Sequence, residues 1–141
     1  MSAALRILTI GGSGFVSGTL ARLAVEHGHA VDAVTRGQRP LPAGVRPVVA
    51  DRQDSEAFAR AIAAASGDWD LVVDCIGYRP ADAAQDLEVF AGRAGHLVFI
   101  STDFVWDPAW RTVPQFEANA HYLPPGSYGG DKRACEERLE A

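Results

Sequence analysis

Apolar positions along the chain form short continuous runs that alternate with longer stretches of helical spacing. The short runs are rich in β-branched residues, as is typical of parallel strands that are buried on both faces. They predict five strands, at Leu5–Ile10, Ala30–Val34, Pro47–Ala50, Asp70–Ile76 and His96–Ser101. The stretches that follow them predict helices at Phe15–His27, Glu56–Ala65, Pro80–Ala94 and Tyr128–Ala141. This alternation predicts an α/β fold, a doubly wound parallel sheet with helices on both faces.

Apolar spacing also indicates which helix residues face the core. In the first helix the apolar residues at helical spacing are Val16, Leu20, Leu23 and Ala24. In the third helix, which Gly95 is expected to end, the inward candidates are Ala84, Leu87 and Phe90. The segment from Thr102 to Gly126 contains prolines and aromatic residues and is predicted to be a long loop.

Glycines separate the first predicted strand from the first helix. Gly11 and Gly14 lack a Cβ atom, so the backbone can turn tightly there and a pyrophosphate can approach closely. The amide groups that open the helix, at Phe15 and Val16, would receive the anion at the positive end of the helix dipole. The position between strand and helix favours a dinucleotide site over a purely structural turn.

Composition narrows the class of protein. The 141 residues are 48% hydrophobic and 22% charged, which predicts one folded, cytoplasmic domain over residues 1–141. The net charge of −5 argues against a nucleic-acid partner, and no apolar run is long enough to predict a membrane span. The two cysteines and four histidines are scattered without metal-ligand spacing, so no metal site is expected.

The strand ends supply candidate cofactor contacts. Arg36 follows the second strand, where an NAD site usually carries an acid, and it favours pairing with the 2′-phosphate of NADP over NAD. Asp32 lies too early in the strand for that role. Asp51 is a candidate contact of the adenine region, with a turn-capping aspartate as the alternative. Gly77 either lets the backbone pass close to the ribose or simply ends its strand.

One lysine stands apart from the other basic residues. Of the 13 basic residues only Lys132 is a lysine, which indicates a role that arginine cannot fill. Tyr128 lies four residues earlier, on the same helix face, and a nearby ammonium stabilises a phenolate. Tyr128 is therefore a candidate proton donor or acceptor. The Thr102 hydroxyl would orient a substrate oxygen, although a capping threonine is the alternative.

Taken together, these motifs resemble the extended and atypical short-chain dehydrogenases/reductases, the NAD(P)-dependent sugar epimerases, dehydratases and reductases. The resemblance covers all 141 residues and rests on the glycine turn, Thr102 and the pair of Tyr128 and Lys132. It implies that Tyr128 exchanges the proton and that Thr102 polarises the substrate oxygen. It also implies that Lys132 holds the nicotinamide ribose.

Three departures from the family pattern bear on function. Ser17 replaces the usual third glycine, which would weaken cofactor affinity. Phe104 stands where sugar dehydratases carry an acid, which favours reduction or epimerisation over loss of water. Family members also continue for more than a hundred further residues, so the chain is expected to be truncated after the catalytic helix and to lack the substrate-binding lobe. The exposed last strand would then invite a homo-oligomer.

The sequence thus predicts an NAD(P)-dependent oxidoreductase or epimerase that acts on a hydroxyl or carbonyl of a small sugar or nucleotide-sugar-like substrate. The alternative is a module that binds NADP as a sensor or scaffold without turnover.

Overall fold

A computed structural model describes residues 3–141 and contains one five-stranded parallel sheet. The strand order is β3-β2-β1-β4-β5, with neighbouring strands paired in parallel. The strands are β1 (Arg6–Ile10), β2 (Ala30–Thr35), β3 (Arg46–Val49), β4 (Trp69–Asp74) and β5 (Ala94–Phe99). The helices are α1 (Phe15–Glu26), α2 (Ser55–Ala64), α3 (Pro80–Phe90) and α4 (Tyr128–Glu140). The predicted fold class is confirmed.

The chain divides into two compact units. The first comprises the residues up to Ile76 together with Glu88–Phe99, and so contains the whole sheet. The second comprises Gly77–Leu87 and Ile100–Ala141.

The core of the first unit lies on both faces of the sheet. On one face Phe58 and Ile62 of α2 pack with Leu8, Ile10 and other buried residues of the central strands. On the other face Ala21 and Ala24 of α1 pack with Ile7 and Val31. Alternate residues of β1 therefore enter opposite cores, as a two-sided parallel sheet requires.

Two predicted helix faces need correction. In α1 the buried residues are Ser17, Ala21 and Ala24, whereas Val16 and Leu23 are 48% and 40% exposed. Small side chains face the sheet because they let the helix approach β1 and β2 closely. In α3 Phe90 is buried as predicted, but Leu87 is exposed, and the rest of the buried face is Asp82, Ala83, Gln85 and Asp86.

Gly95 does not end the third helix. α3 stops at Phe90, and Gly92, at φ +71°, turns the chain toward β5. Gly95 lies inside β5, where a Cβ atom would stand 2.8 Å from the carbonyl oxygen of Asp70 in the neighbouring strand. Its role is close strand pairing, which apolar spacing alone does not reveal.

The predicted long loop of the second unit is built from short turns. It contains 3₁₀ helices at Asp103–Val105, Pro108–Trp110 and Glu117–Asn119. An isolated antiparallel bridge joins Trp106 to Tyr122, and the amide of Leu123 donates to the carbonyl of Val105. These contacts fold the segment back on itself and bring it to the start of α4.

Candidate cofactor and proton-transfer sites

The glycine turn of the first unit has the backbone geometry that its sequence predicts. Gly11 has φ +90°, a conformation that side chains of L-residues rarely adopt, and its amide donates to the carbonyl of Val34 at 3.0 Å. A Cβ atom at Gly11 would lie 3.1 Å from Cγ2 of Ile76. The backbone conformation therefore favours glycine here, and a Cβ atom would in addition press against the Ile76 side chain.

The first turn of α1 is suited to an anion. Gly14 is the N-cap residue, and the first turn carries no acidic side chain. Ser17, where a third glycine is usual, is buried, and its Oγ accepts a hydrogen bond from the Gly14 amide at 3.2 Å. The side chains of Phe15 and Val16 are 91% and 48% exposed, so it is their backbone that lies in the turn. The helix dipole favours negative charge at this end.

A polar cavity of about 170 Å³ lies beside the end of β2 in the same unit. It is lined by Ser13, Thr35, Arg36, Gln38 and Arg39. Two guanidinium groups with hydroxyl and amide groups form the donor set that a phosphate monoester prefers. The sequence pointed to Arg36 but missed Ser13 and Arg39. Their position in the turn could have indicated them, because Arg39 follows Arg36 by three residues in the loop that begins at the end of β2.

The two aspartates of this region have structural partners. Asp32 is buried, and its carboxylate binds Arg6 at 3.0 Å, Arg46 at 2.8 Å and the indole nitrogen of Trp69 at 2.8 Å. Those contacts occupy it inside the sheet, in line with its position within β2. Asp51 is exposed, and its Oδ1 accepts a hydrogen bond from the amide of Gln53 at 2.9 Å. This is the turn-capping contact that the sequence left open as an alternative.

In the second unit, α4 begins at Tyr128 and carries Lys132 one turn later. The N-cap Ser127 accepts a hydrogen bond from the amide of Gly130 at 3.1 Å. The carboxylate of Asp131 accepts another from the amide of Gly126 at 2.8 Å. These two caps hold the first turn of the helix and with it the backbone of Tyr128.

Two glycines between Tyr128 and Lys132 allow a close approach of the preceding loop. A Cβ atom at Gly129 would lie 1.9 Å from the carbonyl oxygen of Phe104, and one at Gly130 would lie 1.8 Å from that of Pro124. No other residue type fits at these positions without a backbone shift. The segment of Thr102 to Phe104 is thereby packed against the start of α4.

The Lys132 side chain is almost completely buried, with 2% of its surface exposed. Its Nζ donates to the carbonyl oxygen of Gly77 at 2.8 Å and to that of Ile100. The ring of Tyr78 lies 5.6 Å from the ammonium, within the range of a cation–π contact. Gly77 thus serves as an anchor for Lys132 through its carbonyl group.

Tyr128 is half exposed and lies between two aromatic rings. Its ring centroid is 6.4 Å from that of Tyr78 and 6.3 Å from that of Phe104. Thr102 caps the adjacent 3₁₀ helix, with its Oγ1 accepting from the amide of Phe104 at 3.3 Å. A hydroxyl that accepts one hydrogen bond keeps its own proton to donate, so the capping contact leaves the hydroxyl of Thr102 able to donate a further hydrogen bond.

A second cavity of the same unit, of about 700 Å³, adjoins Thr102. Its lining includes Ser101, Trp106, Tyr122, Arg133 and Glu136. The hydroxyl of Ser101 donates to the carboxylate of Glu136. That carboxylate also accepts a hydrogen bond from Arg133 and raises the pKa of Arg133, so the guanidinium stays charged at every working pH.

Comparison with known proteins gives relatives in both sequence and fold. The chain is 39% identical to a 2′-dehydrokanamycin reductase of Streptomyces kanamyceticus, over 97% of this chain and 38% of the reductase. This relative is a reductase, in line with the predicted resemblance to the extended short-chain dehydrogenases/reductases, and this chain covers little more than a third of its length. No family model matches the sequence.

Solved structures agree on the fold. An epimerase of Methanothermobacter thermautotrophicus superposes with a TM-score of 0.78 at 16% identity, over 95% of this chain and 46% of the epimerase. The UDP-glucose 4-epimerase of Thermotoga maritima, solved with UDP-glucose, superposes with a TM-score of 0.78 at 20% identity. The match covers 96% of this chain and 50% of that epimerase. The Bordetella bronchiseptica enzyme WbmH, solved with NAD+, superposes with a TM-score of 0.77 at 16% identity. The match covers 98% of this chain and 53% of WbmH. The chain therefore spans about half the length of these enzymes.

Two kinds of feature are absent from the described residues. None of the helices in residues 3–141 is both long and apolar enough to cross a membrane. Within the same range no cluster of three or more His, Cys, Asp or Glu side chains could hold a metal ion.

Proposed function

We propose that this chain supplies the cofactor-binding and proton-transfer groups of an NADP-dependent reductase or epimerase that acts on a hydroxyl or carbonyl of a sugar. The observation that carries the proposal is the arrangement at the start of α4. The chain's one lysine is buried against two backbone carbonyls, one helical turn after the half-exposed Tyr128. A buried ammonium one helical turn from a reachable phenol is suited to proton exchange at a substrate oxygen.

The cofactor contacts come from the first unit. The turn at Gly11 and Gly14 would receive the pyrophosphate, and Phe15 and Val16 would offer backbone amides. The cavity with Arg36 and Arg39 would take the 2′-phosphate, which favours NADP over NAD. Asp51 is proposed as the contact of the adenine region, where it would exchange its turn contact for the base.

In the reductive direction, Tyr128, Thr102 and Lys132 of the second unit would each have a separate role. When bound, a reduced nicotinamide would supply the hydride for the carbonyl carbon, and the phenol of Tyr128 would give its proton to the carbonyl oxygen. Thr102 donates a hydrogen bond to that oxygen, and Lys132 stabilises the phenolate that remains. The resemblance adds a contact of Lys132 with the nicotinamide ribose. The position of Gly77 after β4 would let its backbone pass close to the adenosine ribose.

Reduction is favoured over epimerisation by the sequence relative, whose name describes the reduction of a 2′-dehydro sugar derivative. Dehydration is disfavoured because Phe104 offers no proton-transfer group next to Tyr128. The proposed substrate class is therefore a ketone on a sugar ring.

The first test separates binding from turnover. Tyr128→Phe removes only the hydroxyl, so we expect carbonyl reduction to fall by at least about a hundredfold while the calorimetric Kd for NADPH changes less than about twofold. Thr102→Val is the companion variant and should lower kcat less. Turnover that survives in Tyr128→Phe would rule out the assigned proton donor.

The second test addresses the cofactor. NADPH should bind more tightly than NADH, and Arg36→Ala should remove about tenfold or more of that preference, because a charge-assisted pair with the 2′-phosphate is lost. Arg22→Ala, an exposed arginine paired with Glu26 on α1, is the matched control. Equal affinity for the two cofactors would refute the NADP assignment.

A module that binds NADP without turnover is the second candidate. It is favoured by the fact that the glycine turn and the arginine cavity both lie within the first unit, whereas Tyr128 and Lys132 lie in the second. Tight NADPH binding with no reduction of any sugar ketone would support it over the enzyme.

A further inference from the structure

Tyr78 covers the buried ammonium of Lys132. Only 2% of Lys132 is exposed, and its Nζ meets the carbonyl oxygens of Gly77 and Ile100 and the ring of Tyr78. An ammonium taken out of water is costly unless other groups replace its hydration. The two carbonyls supply part of that replacement, and an aromatic face at 5.6 Å supplies another part.

The same ring also contacts the predicted proton donor. Tyr78 lies 6.4 Å from Tyr128, centroid to centroid, and is itself 48% exposed. It therefore touches both functional side chains of α4 while part of its surface faces solvent. Its backbone is fixed as well, because the amides of Tyr78 and Arg79 donate to the carboxylate of the buried Asp82 at 2.9 and 3.0 Å.

We propose that Tyr78 is a positioning residue for the proton transfer: its ring shields the Lys132 ammonium from water and holds it on the helix face that it shares with Tyr128. This inference rests on the proposed function. The contact is made by the ring face, so the hydroxyl of Tyr78 is not required. We therefore expect Tyr78→Phe to behave like the wild type, and variants with an aliphatic side chain at this position to lose the shielding of Lys132.

The chain offers a direct probe, because Lys132 is its one lysine. An amine-acylating reagent followed by peptide mass spectrometry reports the exposure of this side chain separately from the α-amino group. Tyr78→Leu should raise the labelling rate of Lys132 about tenfold, and Tyr78→Phe should leave it at the wild-type value. Phe116→Leu, which removes an exposed ring of the same unit, is the matched control and should change nothing.

Labelling does not depend on turnover, so it decides the placement of Tyr78 whether or not the enzyme proposal holds. A Tyr78→Leu chain that labels at the wild-type rate would overturn the shielding. If that variant does not fold, Tyr78→Met keeps an unbranched apolar side chain without a ring, and the same increase is expected.

Turnover then tests the positioning. Tyr78→Leu should lower kcat about tenfold, which corresponds to about 1.4 kcal/mol, with the Kd for NADPH within about twofold of wild type. Tyr78→Phe should restore kcat. An equal loss of kcat in Tyr78→Phe and Tyr78→Leu would contradict a role for the ring face. Turnover that persists in Tyr128→Phe would instead refute the proposed function and leave the labelling result standing.

Discussion

The two units of the chain are stabilised in different ways. The first has a two-sided apolar core, in which residues such as Leu8, Phe58 and Val72 are fully buried. The second buries glycines, Cys135 and the charged Lys132 along α4, while the large side chains of Phe104, Trp110 and Phe116 are about 60% exposed. The first unit is held mainly by apolar burial, and the second by close backbone approach and hydrogen bonds.

This difference matches the division of proposed roles. A binding turn needs a rigid strand and helix on which to rest, which the core supplies. A proton-transfer site needs a reachable hydroxyl near a desolvated charge. Such a site leaves less apolar surface buried than a packed core does. We therefore expect the second unit to have the smaller free energy of unfolding. The variants below test this expectation, from the largest effect to the smallest.

The largest effect is expected for Phe58→Ala. The ring is fully buried and packs at 6.3 Å against Phe90 in the core of the first unit. Its removal leaves a cavity, so the free energy of unfolding should fall by about 3–5 kcal/mol. Phe116→Ala, the same change at a 59% exposed ring of the second unit, should cost less than about 0.5 kcal/mol.

Urea unfolding can follow each unit separately. Trp69 lies in the first unit and Trp106 and Trp110 in the second, so chains that keep only one set of tryptophans report on one unit each. Similar losses for the two phenylalanines would show that burial does not distinguish the units.

The next effect is expected for Gly130→Ala. A methyl group there would meet the carbonyl oxygen of Pro124 at 1.8 Å, so the loop or the helix must move, at a cost of about 1–3 kcal/mol. Gly18→Ala on α1 is the matched control, since its nearest neighbour is at 3.4 Å and alanine is the better helix former. It should be neutral or stabilising by up to about 1 kcal/mol. A Gly130→Ala chain as stable as wild type would mean that close approach does not hold the second unit.

The same contrast explains what the sequence could predict. Strands and helices of the first unit follow from apolar periodicity, because burial against a sheet imposes that periodicity on residues such as Leu8 and Ile10. Periodicity failed where packing was decided by small side chains, as at Ser17 and Ala21 of α1, and at Gly95, whose role depends on a carbonyl of a neighbouring strand.

Within the candidate site, spacing indicated candidate residues but not their surroundings. Four positions separate Tyr128 from Lys132 on any helix, so the pair could be recognised from sequence. The contacts of Lys132 with Gly77, Tyr78 and Ile100 join segments more than thirty residues apart along the chain. Local sequence patterns do not predict such contacts. Arg39 was missed for the opposite reason, because a single exposed arginine in a loop is usually only solvated.

The smallest effects are expected at the helix caps, where the two units can be compared with one kind of change. Asp54 caps α2 through the amide of Ala57 at 2.9 Å, and Ser127 caps α4 through that of Gly130 at 3.1 Å. Replacing either by alanine should lower the free energy of unfolding by about 1 kcal/mol. Only Ser127→Ala should also lower turnover, because that cap holds the helix turn that presents Tyr128. Equal kcat in the two variants would show that the start of α4 is positioned by its glycine contacts alone.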